Sequence, residues 1–325
     1  MLIPIAQIIG GFILLVWGAD RLVAGASATA RNLGISPLVI GLTVIAFGTS
    51  APELVVSAMA ALQGNPGLAV GNAIGSNIAN IGLVLGLTAL IYPLRVESEV
   101  LKREYPLLML IMIGSFIMAA DLVYDRTEGW LMLCGLAALM IWMVRFGLRR
   151  GPQDPLAENF AAEIPSDMPM RVAVVWLLVG LVILPLSSHF LVEGAVSIAR
   201  SLAVSDAVIG LTIVAFGTSL PELAAALTSA LRKEDDLAIG TVIGSNMFNI
   251  LGVLGIAAAI SPMRVEELML KQDFPVMFLL TVLLFFMAYG ISGPGRISRK
   301  SGGLLLVIYG CYQVLVWITA TRVIP

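Results

Sequence analysis

Charge is scarce in this chain of 325 residues, of which only 12% are charged and 59% are hydrophobic. Soluble domains carry about 25% charged residues, so the composition excludes an ordinary soluble domain. Histidine and cysteine are scarcer still, with one histidine and two cysteines. A single histidine excludes a multi-histidine transition-metal site. Cys134 and Cys311 lie in apolar runs, and we expect them to be buried thiols rather than a disulfide.

Long apolar stretches dominate what remains. A transmembrane helix needs about 20 predominantly apolar residues, and ten stretches approach or exceed that length. They lie near residues 3–29, 37–62, 67–92, 104–121, 128–147, 171–195, 206–231, 237–261, 274–291 and 302–321. The sequence therefore predicts an all-α membrane protein with ten transmembrane helices.

The two halves of the chain repeat each other at a constant offset of 169 residues. LVIGLTVIAFGTSAPE at Leu38–Glu53 matches AVIGLTIVAFGTSLPE at Ala207–Glu222, and IGSNIANI at 74–81 matches IGSNMFNI at 243–250. Similar apolar composition alone would not reproduce these glycine, proline and polar positions. We therefore predict a first five-helix repeat at 1–150, with its most similar segment at about 38–86. A polar cytoplasmic linker at 151–170 follows, then a second five-helix repeat at 171–325, with its matching segment at about 207–255.

An odd number of spans in each repeat predicts that the second copy enters the membrane from the opposite side, as in the inverted repeats of secondary transporters. Basic residues collect in cytoplasmic loops, and a non-cytoplasmic N-terminus places most of the 19 lysine and arginine residues on the cytoplasmic side. We therefore expect an inner-membrane protein with both termini on the non-cytoplasmic side.

Two carboxylates stand out because they interrupt apolar spans. Glu53 and Glu222 occupy matching positions near the middle of their spans, where an ionised side chain costs about 2.5–3.5 kcal/mol. Pro52 and Pro221 precede them and should break each helix, which leaves the carbonyl four residues earlier without its N–H partner. Carboxylates beside free carbonyls suit a hard cation such as calcium, which takes 6–8 oxygen ligands.

Neutral oxygens flank both carboxylates. A threonine lies one helical turn before each glutamate, and the next span of each half adds a serine and an asparagine one turn apart. These candidates are Thr49, Ser76 and Asn80 in the first half, and Thr218, Ser245 and Asn249 in the second.

Two structural explanations stand beside ion binding, and the first of them can hold together with it. The sequences that begin at Ser50 and at Ser219 fit the capping box, in which a serine and a glutamate satisfy the start of a helix. Asn77 and Asn246 are equally well explained as interhelical hydrogen-bonding residues.

At these motifs the sequence resembles the cation/calcium exchanger superfamily, and within it the prokaryotic sodium/calcium exchangers. GTSAPE with GSNIAN, and GTSLPE with GSNMFN, carry the resemblance, which spans nearly the whole chain. It implies ten helices, with ion sites formed by the second, third, seventh and eighth. Calcium would be held by Glu53, Glu222, Thr49 and Thr218. Sodium would use Ala46, Ser50, Ser76, Asn80, Ala215, Ser219, Ser245 and Asn249. Several family members have aspartate where this chain has Asn249, which leaves ion stoichiometry, potassium dependence and proton coupling open.

The predicted function is antiport of sodium and calcium through one shared midplane site that opens alternately to each side. A calcium/proton exchanger that uses the same glutamates is the alternative. An intramembrane phosphatase or lipid-processing enzyme is disfavoured, because phosphate recognition calls for arginine or lysine and neither core motif has one. A channel is disfavoured because a pore does not need two proline-broken half-sites. We expect no enzymatic activity, cofactor, nucleic acid or obligate protein partner; the partners are calcium and sodium ions and the lipid bilayer.

Overall fold

The computed structural model describes residues 2–35, 37–64, 66–96, 101–149, 168–202, 215–289 and 295–323. Within these ranges the chain is mostly helical, with two short antiparallel ribbons. The helices are α1 (Leu2–Leu33), α2 (Pro37–Ile40), α3 (Ala46–Thr49), α4 (Ala51–Leu62), α5 (Pro66–Ala79), α6 (Gly86–Ile91), α7 (Leu101–Met118), α8 (Arg126–Arg149), α9 (Met170–Ser201), α10 (Ala215–Thr218), α11 (Leu220–Leu231), α12 (Asp235–Phe248), α13 (Gly255–Ile260), α14 (Glu267–Lys271), α15 (Asp273–Tyr289) and α16 (Arg299–Val323). The strands are β1 (Leu94–Val96), β2 (Val123–Tyr124), β3 (Met263–Arg264) and β4 (Gly295–Ile297).

Seven helical spans in the described chain are long and apolar enough to cross a membrane. The pair Gly41–Thr49 and Ala51–Leu62, bent by 51°, passes the same test when taken together. These eight coincide with the predicted spans that begin at 3, 37, 67, 104, 171, 237, 274 and 302. The chain is therefore a multi-pass membrane protein.

The remaining two predicted spans are described differently. Helix α8 covers the prediction at 128–147, and α11 forms the end of the prediction at 206–231. Residues 206–214 of that span, and residues 151–167 of the predicted linker, lie outside the described residues. The count of ten spans stays a prediction.

Two spans form the centre of the bundle. In Gly67–Ile91 and Asp235–Ile260, 72% and 78% of the most apolar window is buried, against at most 33% in the other five long unbroken spans. Those other helices are peripheral, and Cys134 on α8 and Cys311 on α16 are exposed. The expectation that these thiols are buried is therefore wrong, because an apolar run looks the same whether it faces protein or lipid.

Helices α1 and α9 pack along each other through a seam of glycines. A Cβ added at Gly25 would overlap the backbone nitrogen of Leu177, and one at Gly180 would lie 2.5 Å from the Cβ of Leu22. Small residues at a membrane interface allow backbones to approach closely, and the van der Waals contact that results drives helix association in lipid. The seam therefore joins the first helix of one predicted half to the first helix of the other.

The two ribbons also join the predicted halves. Strand β1 pairs with β4, with Leu94 opposite Ile297, and β2 pairs with β3, with Val123 opposite Arg264. In each ribbon, the strand after the third span of one half meets the strand after the fourth span of the other. The halves are therefore linked at both ribbons by main-chain hydrogen bonds.

A polar cluster ties α1 to the turn between α11 and α12. Arg232 in that turn forms an ion pair with Asp20. Glu234 is buried, and burial raises its pKa, while the Ser27 hydroxyl and the Arg31 charge on α1 act in the opposite direction. This cluster fixes the turn against one end of α1.

We predict that Gly25→Ala destabilises the protein, whereas Gly10→Ala does not. A methyl group at residue 25 meets the backbone of α9, and such overpacking costs about 1–3 kcal/mol. A Cβ at Gly10 would have nothing within 4 Å, and alanine favours the helix over glycine by about 1 kcal/mol. Thermal unfolding of detergent-purified variants measures both. Equal melting temperatures for the two variants would contradict the glycine seam.

Candidate ion-binding site

Both predicted helix breaks are present, and they have nearly the same geometry. Ser50, between α3 and α4, has φ −83° and ψ 6°, and Ser219, between α10 and α11, has φ −86° and ψ 2°. Each break precedes a proline in the first turn of the following helix. Proline has no N–H, so the carbonyls of Gly48 and Gly217 lack their usual helical donor.

Matching π-helical segments follow in the next span of each half. They run over Asn80–Leu85 and Asn249–Leu254, so each begins at a predicted asparagine ligand. A third π-helical segment, Gly41–Ile45, precedes α3. π-Bulges are frequent at functional sites because they re-aim side chains and backbone carbonyls. The hydropathy pattern gave no sign of them.

The two carboxylates are buried in the centre of the protein. Glu53 and Glu222 are each 1% exposed and lie close enough to interact electrostatically. The Ser50 hydroxyl donates to Oε1 of Glu222 at 3.2 Å, and the Thr49 hydroxyl also faces this carboxylate. The Oε2 atoms of both glutamates have no hydrogen-bond partner within the described chain. The site therefore presents two acidic oxygens that no donor of the described residues satisfies.

No basic side chain of the described part of the chain offsets this charge. Within the described ranges, neither glutamate has a lysine or arginine among its electrostatic neighbours. Two adjacent carboxylates in a medium of low polarity need a counter-charge, because desolvation and mutual repulsion both oppose ionisation. A bound cation can supply that counter-charge.

The capping-box explanation is wrong. Neither Ser50 nor Ser219 makes a side-chain cap hydrogen bond to its helix. The Ser50 hydroxyl instead reaches the glutamate of the other half. The Ser219 hydroxyl is buried and has no partner among the described residues. Ser50 is therefore oriented toward the site, and neither serine caps the helix that follows it.

Among the predicted neutral ligands, Ser245 of the next span reaches Thr49 beside the glutamates. The hydroxyl groups of Thr49 and Ser245 are 3.4 Å apart, and Thr49 Oγ1 also lies 3.4 Å from the carbonyl of Ala46. Ser76 is buried, with 6% of its surface exposed. Thr218 is partly buried, and Ala215 begins α10.

The asparagines divide into two roles. Asn80 donates to Oδ1 of Asn246 at 3.1 Å, and Asn77 donates to the Asn246 carbonyl at 3.3 Å. The interhelical hydrogen bonds expected of Asn77 and Asn246 are thereby confirmed. Asn249 is fully buried, and neither polar atom of its amide has a partner within the described chain. The two predicted asparagine ligands, Asn80 and Asn249, are therefore not equivalent in this conformation.

Sequence reasoning missed two residues that hold the site. The Asn72 amide donates to the Glu53 carbonyl at 3.0 Å and to the Ser57 hydroxyl at 2.9 Å, which ties α5 to α4. The Ser188 hydroxyl donates to the Gly217 carbonyl, which Pro221 leaves free, at 2.6 Å. Both are polar residues inside apolar spans, and that isolation is the signal that could have identified them.

A multi-pass helical bundle that buries two unneutralised carboxylates beside two matching helix breaks is a membrane cation transporter. The family model described as sodium/calcium exchanger protein matches residues 3–145 and 172–318. Because these stretches cover most of the chain, the protein belongs to that family, within the cation/calcium exchanger superfamily.

Three similar proteins agree with this assignment. CaxA from Alkalimonas amylolytica is 48% identical over 317 residues, which cover 98% of this chain and 99% of CaxA. Inner membrane protein YrbG from Escherichia coli K12 is 41% identical over 303 residues, which cover 91% and 92% of the two chains. A structure of the sodium-calcium exchanger NCX_Mj, soaked with Na⁺ and Sr²⁺, matches with a TM-score of 0.82 at 35% identity. That match covers 95% of this chain and 97% of NCX_Mj.

We predict that Ser50→Ala destabilises the ion-free protein more than Ser219→Ala. The first substitution removes a donor from a buried carboxylate, which costs about 1–3 kcal/mol. The second removes a hydroxyl that has no partner within the described chain, and its loss should cost little. Thermal unfolding in chelator and sodium-free buffer measures the difference. A Ser219→Ala variant at least as destabilised as Ser50→Ala would contradict the cross-site hydrogen bond.

Proposed function

We propose that this protein is a sodium/calcium antiporter in which both ions use one midplane site, exposed alternately to each side of the membrane. The observation that carries the proposal is the buried pair of Glu53 and Glu222, each with one carboxylate oxygen that has no partner in the described structure. Sodium and calcium are cargo rather than cofactors. We propose neither a resident cofactor nor an enzymatic reaction.

Charge balance explains why exchange would be coupled. An empty site with two ionised carboxylates carries two uncompensated negative charges in a medium of low polarity, and the protein should rarely change state in that form. One calcium ion, or two or more sodium ions, would compensate the pair. Bound calcium would therefore allow the conformational change in one direction, and bound sodium would allow it in the other.

The proposed ligands follow from the oxygens around the glutamates. Calcium would be held by Glu53 and Glu222 with Thr49 and Thr218. Sodium would use the remaining oxygens near the two breaks and in the next spans: Ala46, Ser50, Ser76 and Asn80, and Ala215, Ser219, Ser245 and Asn249. The contacts of Ser50 with Glu222 and of Thr49 with Ser245 support the idea that oxygens from both halves share one site.

The proposed topology is ten spans in two inverted five-helix repeats, at residues 1–150 and 171–325. The two ribbons support the inversion, because they match each other when the halves are interchanged. In each ribbon, the strand after the third span of one half pairs with the strand after the fourth span of the other. We place the protein in the inner membrane with both termini on the non-cytoplasmic side. The charge distribution supports that orientation, and the name of YrbG, an inner membrane protein, supports the compartment.

Calcium/proton exchange is the second candidate. The observation that favours it is the same pair of unpartnered carboxylate oxygens, since each can accept a proton in place of a sodium ion. The site and the alternation between sides would be unchanged. Only the coupling ion would differ.

Separate ion gradients distinguish the two candidates. We predict that calcium-45 enters proteoliposomes when an outward sodium gradient is imposed at equal pH. The control is a pH gradient of matched driving force without sodium. Uptake driven by the pH gradient alone would replace the sodium proposal by the proton alternative.

Replacing Glu53 by glutamine should abolish sodium-driven calcium-45 uptake, with an expected loss of at least about 100-fold. Such a loss corresponds to about 2.7 kcal/mol, and truncating one partner of a buried charged interaction costs about 2–5 kcal/mol. Glu193→Gln is the matched control, because Glu193 is an exposed carboxylate on α9 that pairs with Gln7. It should transport normally. Transport by Glu53→Gln at the rate of the control would refute the site.

A further inference from the structure

The two predicted halves pack differently around their helix breaks, although the backbone angles at the breaks are similar. A Cβ at Gly217 would overlap Val192 of α9, the first helix of its own half. A Cβ at Gly48, the matching residue, would overlap Leu181, which also lies on α9. Gly48 therefore packs against the first helix of the other half, whereas Gly217 packs against its own.

The surrounding helices show the same asymmetry. Helix α1 packs along α11, the site helix of the second half. The repeat-related pair, α9 and α4, makes almost no contact, although both helices are described. The two halves therefore have different packing in the described structure, as expected of an end state of the transport cycle rather than of a symmetric intermediate.

Ser188 makes a contact that only the second half can make. Its hydroxyl is 5% exposed and donates at 2.6 Å to the Gly217 carbonyl. Pro221 removes the N–H that this carbonyl would otherwise accept. At the offset of 169 residues, Ser188 corresponds to Ala19, and Gly217 corresponds to Gly48. Alanine has no donor, so the first half cannot form this bond in any conformation.

In an inverted-repeat transporter, the two end states are related by exchange of conformation between the halves. We propose that Ser188 is a positioning residue for the ion site that stabilises the described end state selectively. It does so by holding the broken helix α10–α11 against α9 through the Gly217 carbonyl. In the opposite end state, Gly48 would take the place of Gly217, and Ala19 would leave its carbonyl without this donor. The inference rests on the alternating-access function proposed above.

The asymmetry makes a quantitative prediction for two substitutions that look unrelated. Ser188→Ala removes the bond from the described state, and Ala19→Ser adds an equivalent bond to the opposite state. Each should shift the equilibrium toward the opposite state by about two- to tenfold, the range for one neutral hydrogen bond. The double variant, Ser188→Ala with Ala19→Ser, should shift it by about the product of the two factors. Ser188→Thr keeps the hydroxyl and should behave like the unmodified protein.

The measurement is the apparent KM for calcium at each face of the membrane. Sealed right-side-out and inside-out vesicles are assayed by exchange of calcium-45 for unlabelled calcium, which needs no coupling ion. The apparent affinity at one face decreases when a smaller fraction of the protein is open to that face. The ratio of the two KM values therefore reports the equilibrium between the two end states. Both single substitutions should move this ratio in the same direction, and the double variant should move it furthest.

Three outcomes would overturn the proposal. If Ser188→Ala changed both KM values by the same factor, its role would be local and structural. If Ala19→Ser left the ratio unchanged or moved it in the opposite direction, the exchange of roles between the halves would be wrong. A Ser188→Ala variant that failed to reach the membrane would not affect the test, because the KM ratio of Ala19→Ser would still support or contradict the proposal. If unmodified vesicles exchanged no calcium, the proposed function would fall and this inference with it.

Discussion

The cost of placing two carboxylates in an apolar interior is the constraint on which the rest of the structure depends. Glu53 and Glu222 are almost fully buried and close enough to sense each other, and no basic side chain of the described chain lies beside them. Burying one uncompensated charge in a protein can cost several kcal/mol. The site can therefore be stable only if nearby oxygens are held rigidly enough to admit a cation. The bonds of Asn72 to the Glu53 carbonyl and of Ser188 to the Gly217 carbonyl hold the backbone at both broken helices.

Backbone breaks place these oxygens, and their geometry is set locally. The φ and ψ angles of Ser50 and Ser219 agree within a few degrees, although their surroundings differ. A proline two residues later removes a helix hydrogen bond whatever the tertiary context. This is why the breaks at Ser50 and Ser219 could be predicted from sequence. The hydroxyl groups at the breaks cap no helix, and that of Ser50 donates to the Glu222 carboxylate instead.

Features that depend on distant residues could not be predicted in the same way. The bond from Ser50 to Glu222 joins residues 172 positions apart, and its symmetric counterpart, from Ser219 to Glu53, is not formed in the described structure. Asn80 is hydrogen-bonded, whereas Asn249 is not. A repeat in sequence predicts two equal half-sites, but a transporter caught in one state must hold its halves differently. The π-helical segments could not be predicted for another reason. One extra residue in a helical turn leaves the hydropathy of a span unchanged.

Divergence between the two halves therefore has an energetic meaning. Two identical inverted repeats would give two end states of equal energy, because every contact in one state would have a counterpart in the other. Each position where the halves differ, and where the side chain makes a contact in one state only, removes that equality. The ion pair of Arg232 with Asp20 is such a place, because the matching positions are Gln63 and His189. In the proposed mechanism, the glutamates and broken helices, which the halves share, would provide the cation site. The unshared residues around them would set which side of the membrane the empty or loaded site faces more often.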